Sequence, residues 1–216
     1  VGMKGLVADN EPRAEVYSAA TKKDQAMILF RDAVAMVDQS TELSKRLQKS
    51  GTGERCWNLA YTAQGAFFRP ISSDDGQSGP RPHIGLIDEL HEHKTNTVVE
   101  MMRAGTKSRR QALIFMITNA GHNRMGPCWG YHEYGAKVAA GEVEDDAFFP
   151  FVCSLDESDD PFADESCWPK ANPSLQDADL PGMKYIREQV VEAKGMPSKE
   201  AIVRRLNFCQ WTDAES

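Results

Sequence analysis

The run Pro82-His83-Ile84-Gly85-Leu86-Ile87-Asp88-Glu89 constrains this chain more than any other stretch. It is apolar without alternation, and it stops abruptly at two adjacent carboxylates. Continuous apolar character marks a strand covered on both faces of a sheet. In open α/β sheets, ligands collect outside the carboxyl ends of the strands. Asp88 and Glu89 are therefore expected at a ligand edge, with the look of a Walker B pair in which the Asp helps to hold Mg²⁺ and a nearby polar residue orients water. The same pair is equally what a strand leaves behind when a helix starts, because acidic residues favour helix N-termini.

A second continuous run, Gln111 to Ile117, ends in Thr118-Asn119-Ala120-Gly121, and the pattern between the two runs predicts a helix over about 95–107. Two parallel buried strands joined by a helix form a βαβ unit, with both tips on one edge of the sheet. Both strands are expected to be central. Further strands are expected over Ala14–Ala19, Arg55–Tyr61, Ala66–Ile71 and Ala147–Cys153, the middle two as a hairpin around Thr62-Ala63-Gln64-Gly65.

Val1 to Asp9 reads as the end of a helix. A helix follows Thr21, its expected cap, with Asp24 three residues on; Thr21 and Gln25 also qualify as residues facing a nucleotide. Helices are expected over Trp129–Ala140, 181–194 and 198–206. The acidic stretch Asp156-Glu157-Ser158-Asp159-Asp160-Pro161 lacks the ligand spacing of a calcium loop and reads as a solvated connection.

Length and charge narrow the class. A chain of 216 residues suffices for one domain with a small appendage, and a net charge of -7 argues against coating nucleic acid by bulk charge while permitting a local basic patch. No apolar run approaches membrane-spanning length, and the first residues lack the apolar core of a signal peptide. Five widely spaced cysteines without C-x-x-C fit reduced structural thiols better than a disulfide framework or a zinc knuckle.

Four segments in order, V-Y-S-A-A-T-K-K-D-Q-A (Val16 to Ala26), G-Q-S-G-P-R-P-H-I-G-L-I-D-E-L-H-E (Gly76 to Glu92), R-R-Q-A-L-I-F-M-I-T-N-A-G (Arg109 to Gly121), and L-D-E-S-D-D-P-F with W-P-K-A-N-P (Leu155 to Phe162, Trp168 to Pro173), together resemble the large terminase subunit of tailed bacteriophages. The resemblance implies a three-layer α/β fold of the P-loop NTPase-like (RecA/ASCE-type) class with a mostly parallel sheet and a small helical appendage. It implies an ATPase that drives double-stranded DNA into a capsid in the host cytoplasm. ATP and Mg²⁺ would be its cofactors, and a portal protein, a small terminase subunit and further copies in a ring its partners.

By that resemblance Asp88 is the Walker B Asp, binding Mg²⁺ through water. Glu89 activates the attacking water, and Thr118 and Asn119 belong to the coupling motif that senses the γ-phosphate. Arg109 falls where related motors place an arginine finger, and its position before the strand, opposite the acid tips, suits a neighbouring subunit's phosphates. Asn119 departs from the more familiar T-T-A-G form.

No G-x-x-x-x-G-K-[ST] occurs in the chain. The resemblance thus implies a partial ATPase domain over 1–155, with an acidic connection and helical linker over 156–216 leading toward a nuclease domain. An expression fragment or a decayed prophage reading frame would both give that arrangement, and such a chain is expected to be inactive alone. Three other readings stay open. One is a DExH-type helicase fragment, from D-E-L-H. Another is a metal site on Glu89, His91, Glu92 and His93. The third is a non-enzymatic docking or oligomerisation fragment.

Overall fold

The computed structural model describes residues 1–72, 79–177 and 182–212. The chain divides into two compact units, Val1–Thr118 and Asn119–Ser216.

The first unit is a six-stranded sheet with helices on both faces. In chain order it comprises α1 (Gly2–Val7), β1 (Glu15–Ala20), α2 (Lys23–Gln39), α3 (Thr41–Arg46), β2 (Gln48–Ser50), β3 (Asn58–Tyr61), β4 (Ala66–Ser72), β5 (Ile84–Ile87), α4 (Thr97–Gly105) and β6 (Leu113–Met116). The strand order is β2-β3-β4-β1-β5-β6. Strands β4, β1, β5 and β6 are parallel, with Val16 opposite Ile84 and Ile84 opposite Leu113. The hairpin expected around residues 62–65 is present: β3 and β4 pair antiparallel, and Gly65 takes the left-handed conformation (φ 64°) that a glycine adopts without a Cβ clash.

One face of the sheet carries α1 and α2. Leu6, Phe30 and Val34 pack there with Val16, Phe68, Ile84 and Leu86 in one buried cluster. Helix α1 packs tightly on the sheet's side chains: a Cβ on Gly5 would sit 2.4 Å from Ile84 Cγ1. Helix α4 covers the opposite face, its buried Met102 over Gly85. The three-layer α/β expectation is met, and the βαβ unit β5-α4-β6 is as read from the sequence.

Several local expectations are corrected. Strand β6 is not central: among the described residues it is the edge strand, and Leu113, Phe115 and Ile117 stay 41%, 41% and 47% exposed because no described element covers that side. Helix α2 starts one residue later than expected, and Gln25, not Asp24, reaches back to its cap, with Gln25 Oε1 accepting the Lys22 N–H at 3.3 Å. Helix α3 and strand β2 were not foreseen, since T-E-L-S-K-R and Q-K-S carry almost no apolar signal. The turn-rich stretch before β5 falls mostly on residues 73–78, outside the described ones.

The second unit contains α5 (Pro127–Ala139), α6 (Trp168–Ala171), α7 (Gly182–Gly195) and α8 (Glu200–Phe208). Residues 147–153 form no strand. Pro150 has no N–H to give a ladder, and Phe149 and Phe151 are 88% and 78% exposed instead of facing a core. The late helices are present as expected and close around Trp168, Ile186, Val190 and Phe208. The Trp168 indole N–H donates to the Pro161 carbonyl at 2.8 Å, which anchors the acidic connection. Lys170 neutralises part of that connection, 2.7 Å from Asp156 and 2.8 Å from Asp159.

Candidate nucleotide edge

Strand β5 hands the chain to its acid tip through one last sheet bond, from the Asp88 N–H to the Ala19 carbonyl (2.9 Å). Glu89 then takes the left-handed conformation, φ 51° and ψ 51°, and a short 3-10 turn over Leu90–Glu92 follows. Buried Leu90 draws the turn back to the sheet, where its N–H meets the Ile117 carbonyl at 3.3 Å. A left-handed non-glycine residue costs about 1–2 kcal/mol, and such strain persists where the surroundings impose it, often at functional sites.

The strain sets the two carboxylates apart. Asp88 Oδ1 accepts the Glu89 N–H at 3.0 Å, so its carboxylate is fixed, and among the described residues Oδ2 has no hydrogen-bond donor. One fixed carboxylate with an open oxygen suits Mg²⁺, which keeps most of its waters and takes one or two carboxylates plus phosphate oxygens. Burial pushes the Glu89 carboxyl above its usual range; the His91 ring opposes this, and Asp88 and Glu92 add to it. Glu89 Oε2 is buried without a hydrogen-bond partner. An acid raised in this way is suited to accept a proton from water.

The tip of β6 lies beside this pair. The Ile117 N–H donates to the Ile87 carbonyl at 2.9 Å, which places Thr118 next to the turn after Glu89. The Thr118 hydroxyl oxygen accepts the His91 N–H at 3.0 Å and lies 3.1 Å from His91 Nδ1. That ring nitrogen is also 3.2 Å from Glu89 Oε2, while Nε2 is 3.2 Å from Glu92 Oε1. Burial lowers the pKa of the His93 ring, and the Asp88 backbone opposes that shift. From the sequence these two histidines were weighed as metal ligands, and His91 also as the end of a DExH box. Among the described residues no group of three or more His, Cys, Asp or Glu is arranged to hold a metal ion. Their rings organise the acid tip, a role signalled only by their close spacing after it.

Arg109 sits at the other end of the strands. Its Nε donates to the Arg81 carbonyl (2.9 Å), Nη1 to Glu11 Oε1 (3.2 Å) and the Pro12 carbonyl (3.3 Å), and Nη2 to the Arg13 carbonyl (3.0 Å). Its Nη2 is also 3.7 Å from Glu15 Oε1. All three nitrogens of the guanidinium are thus engaged within its own unit, tying the entries of β1, β5 and β6 together. Asn119 opens the second unit, where its Oδ1 accepts from the Cys209 thiol and its carbonyl from the Cys128 thiol, both at 3.7 Å. The expected site residues therefore separate into Asp88, Glu89 and Thr118 at one sheet edge, Arg109 at the opposite edge, and Asn119 in the second unit.

Sequence and structure comparisons bear on this arrangement. The family model described as the terminase large subunit, ATPase domain, matches residues 2–137. The model of the terminase large subunit, endonuclease domain, matches residues 142–216, which include the stretch 156–216 expected to be a connection and linker. Protein YmfN of Escherichia coli (strain K12) is 37% identical over 142 residues, which are 64% of this chain and 30% of that protein. The crystal structure of the HK97 bacteriophage large terminase superposes with a TM-score of 0.82 at 20% identity, covering 97% of this chain and 42% of that one. The Thermus phage P74-26 large terminase ATPase domain gives a TM-score of 0.55 at 15% identity, over 96% of this chain and 80% of that chain. The structural likenesses show the fold; the family model, matching well over half of the residues, shows the lineage. The chain belongs to the terminase large subunit family.

Proposed function

We propose that this chain supplies the hydrolytic edge of an ATP-driven motor that moves double-stranded DNA into a capsid. The observation that carries the reading is the juxtaposition, on one edge of a parallel sheet, of Asp88, the strained Glu89 and the Thr118 hydroxyl. Asp88 holds Mg²⁺ through water, Glu89 takes the proton of the attacking water, and Thr118 answers the state of the γ-phosphate. Asn119 extends the coupling stretch. Phosphoryl transfer depends on positioning and charge stabilisation, and the described edge provides the metal and base side of both.

The chain spans 42% of the HK97 large terminase and 30% of YmfN, and we assign the phosphate cradle, whose motif does not occur in these 216 residues, to the remainder of a longer protein of that kind. Among the described residues β6 is the edge strand, and such an edge is a place for a further strand to pair, which supports that assignment. Arg109 enters as a clamp on the strand entries in place of a finger. In the complete protein the partners are double-stranded DNA, a portal protein, a small terminase subunit and neighbouring copies in a ring.

The experiment compares Mg²⁺-ATP titrations of two proteins, the 216-residue chain and the chain expressed with the reading frame that precedes it. We expect weak binding and background hydrolysis for the first, and binding with shifted amide resonances at Asp88, Glu89 and Thr118 for the second. Robust magnesium-dependent turnover by the 216-residue chain alone, abolished by Glu89→Gln, would refute the assignment of the cradle elsewhere. Shifts that avoid the acid edge altogether would refute the nucleotide reading.

A further inference from the structure

A single side chain joins the two strand tips. His91 Nδ1 lies 3.1 Å from Thr118 Oγ1 and 3.2 Å from Glu89 Oε2, and the His91 N–H is given to the same Thr118 oxygen at 3.0 Å. A hydroxyl has one proton to give, and a neutral imidazole has one N–H and one lone pair. The Thr118 oxygen accepts from the amide with one of its two lone pairs, and Nδ1 is in place to receive the hydroxyl proton. When Nδ1 accepts that proton's hydrogen bond, the ring's own proton is on Nε2, the nitrogen 3.2 Å from Glu92 Oε1. In that tautomer Nδ1 presents a lone pair, and Glu89 Oε2, 3.2 Å away, is buried without a hydrogen-bond partner.

We propose that His91 is a positioning residue through which Thr118 controls the Glu89 carboxylate. Nδ1 serves one partner at a time. While the Thr118 hydroxyl donates to it, Glu89 stays an unclaimed acceptor, open to the proton of an attacking water. When the hydroxyl turns to another acceptor, such as a phosphate oxygen, the ring proton can pass from Nε2 to Nδ1 by exchange with water at unchanged net charge. Nδ1–H then donates to Glu89 Oε2 and holds the carboxylate back. The left-handed backbone of Glu89 suits such a device, because it brings the carboxylate to the side of a ring two residues ahead. The inference rests on the nucleotide-hydrolysis reading for its purpose, though not for its geometry.

The test therefore separates the two. Long-range proton–nitrogen spectra of the histidine-labelled 216-residue chain report the tautomer of each ring, with His91 assigned through H91N. We expect the Nε2–H tautomer of His91 in the unsubstituted chain, and a shift toward Nδ1–H in T118V, with His83 and His93 unmoved. An Nδ1–H tautomer from the outset, or a His91 ring that ignores T118V, overturns the proposal and leaves the motor reading intact. In the chain extended by its upstream reading frame, H91A and H91Q should lose on the order of 10²-fold in kcat with little change in KM, as misplacement of a base does. H91N, whose amide reaches the Nδ1 position, should lose less. Equal losses in H91N and H91Q would also overturn it. An extended protein without any turnover would refute the motor reading, and the tautomer spectra would still decide the role of His91.

Discussion

Replacing Arg109 by Ala should destabilise the first unit by about 3–5 kcal/mol. The side chain is 9% exposed and its partner Glu11 15%. Truncation removes the donors to the Arg81, Pro12 and Arg13 carbonyls and leaves the Glu11 carboxylate without its cation. Hydrogen bonds to charged groups are worth about 1.5–3 kcal/mol each, but the carbonyls lie at a sheet edge and recover some of this from water. Breaking one side of a buried ion pair typically costs about 3–5 kcal/mol, and we take that range for the whole cluster.

In urea, with a slope of about 2 kcal/mol/M for a domain of this size, the midpoint should fall by on the order of 2 M at unchanged slope. Native-state hydrogen exchange at β1, β5 and β6 assigns the loss to the first unit. Arg109→Lys should recover only part, since an ammonium is a point charge without the planar fork. Arg110→Ala, at the exposed neighbour, should stay within about 0.5 kcal/mol. An Arg109→Ala variant that loses under about 1 kcal/mol would refute the clamp and return this guanidinium to a partner outside its own unit.

Three other perturbations follow from the geometry. Glu89→Gly should raise stability by about 1 kcal/mol, read as a higher urea midpoint, because glycine adopts the left-handed conformation without strain. Gly105→Ala should cost about 1–3 kcal/mol in the same assay, since its Cβ would stand 2.1 Å from the Pro80 carbonyl oxygen and the backbone must move. Burial raises the Tyr17 phenol to about 12, with its hydrogen bond to Glu15 adding to the shift against Arg69. The stability that its protonated form contributes should be complete below pH 10 and lost as pH rises from 10 to about 12, and Tyr17→Phe should remove that loss, as followed by tyrosinate absorbance and thermal melts.

Much of the site-bearing fold was legible because its signals are local. Ile84 to Ile87 and Leu113 to Met116 announce buried parallel strands through unbroken apolar character, and the residues between them carry a helical pattern. The acid pair after Ile87 marks the edge where a ligand belongs. What was missed depends on partners distant in sequence. Arg109 was expected to face a neighbouring subunit's phosphates, and its actual partners Glu11, Pro12 and Arg13 come from nearly a hundred residues away. The left-handed turn at Glu89 has no glycine to signal it, and the His91 bridge exists only because β5 and β6 are neighbours in register. Residues 147–153 looked like a strand from their aromatic content, but Pro150 and the absence of a ladder partner among the described residues leave them irregular. Strand β6 looked central by composition, and its exposed apolar side chains show why composition alone could not place it.

We propose Glu89 as the base of a magnesium-dependent hydrolysis. The most direct measurement is steady-state ATP turnover by the chain extended through its upstream reading frame, beside the same protein carrying Glu89→Gln, whose neutral amide keeps the shape of the carboxylate. The account predicts turnover that needs Mg²⁺, with kcat reduced by on the order of 10²- to 10⁴-fold by the substitution, the range for loss of a general base, while nucleotide affinity is retained. Turnover equal in the two proteins would contradict it.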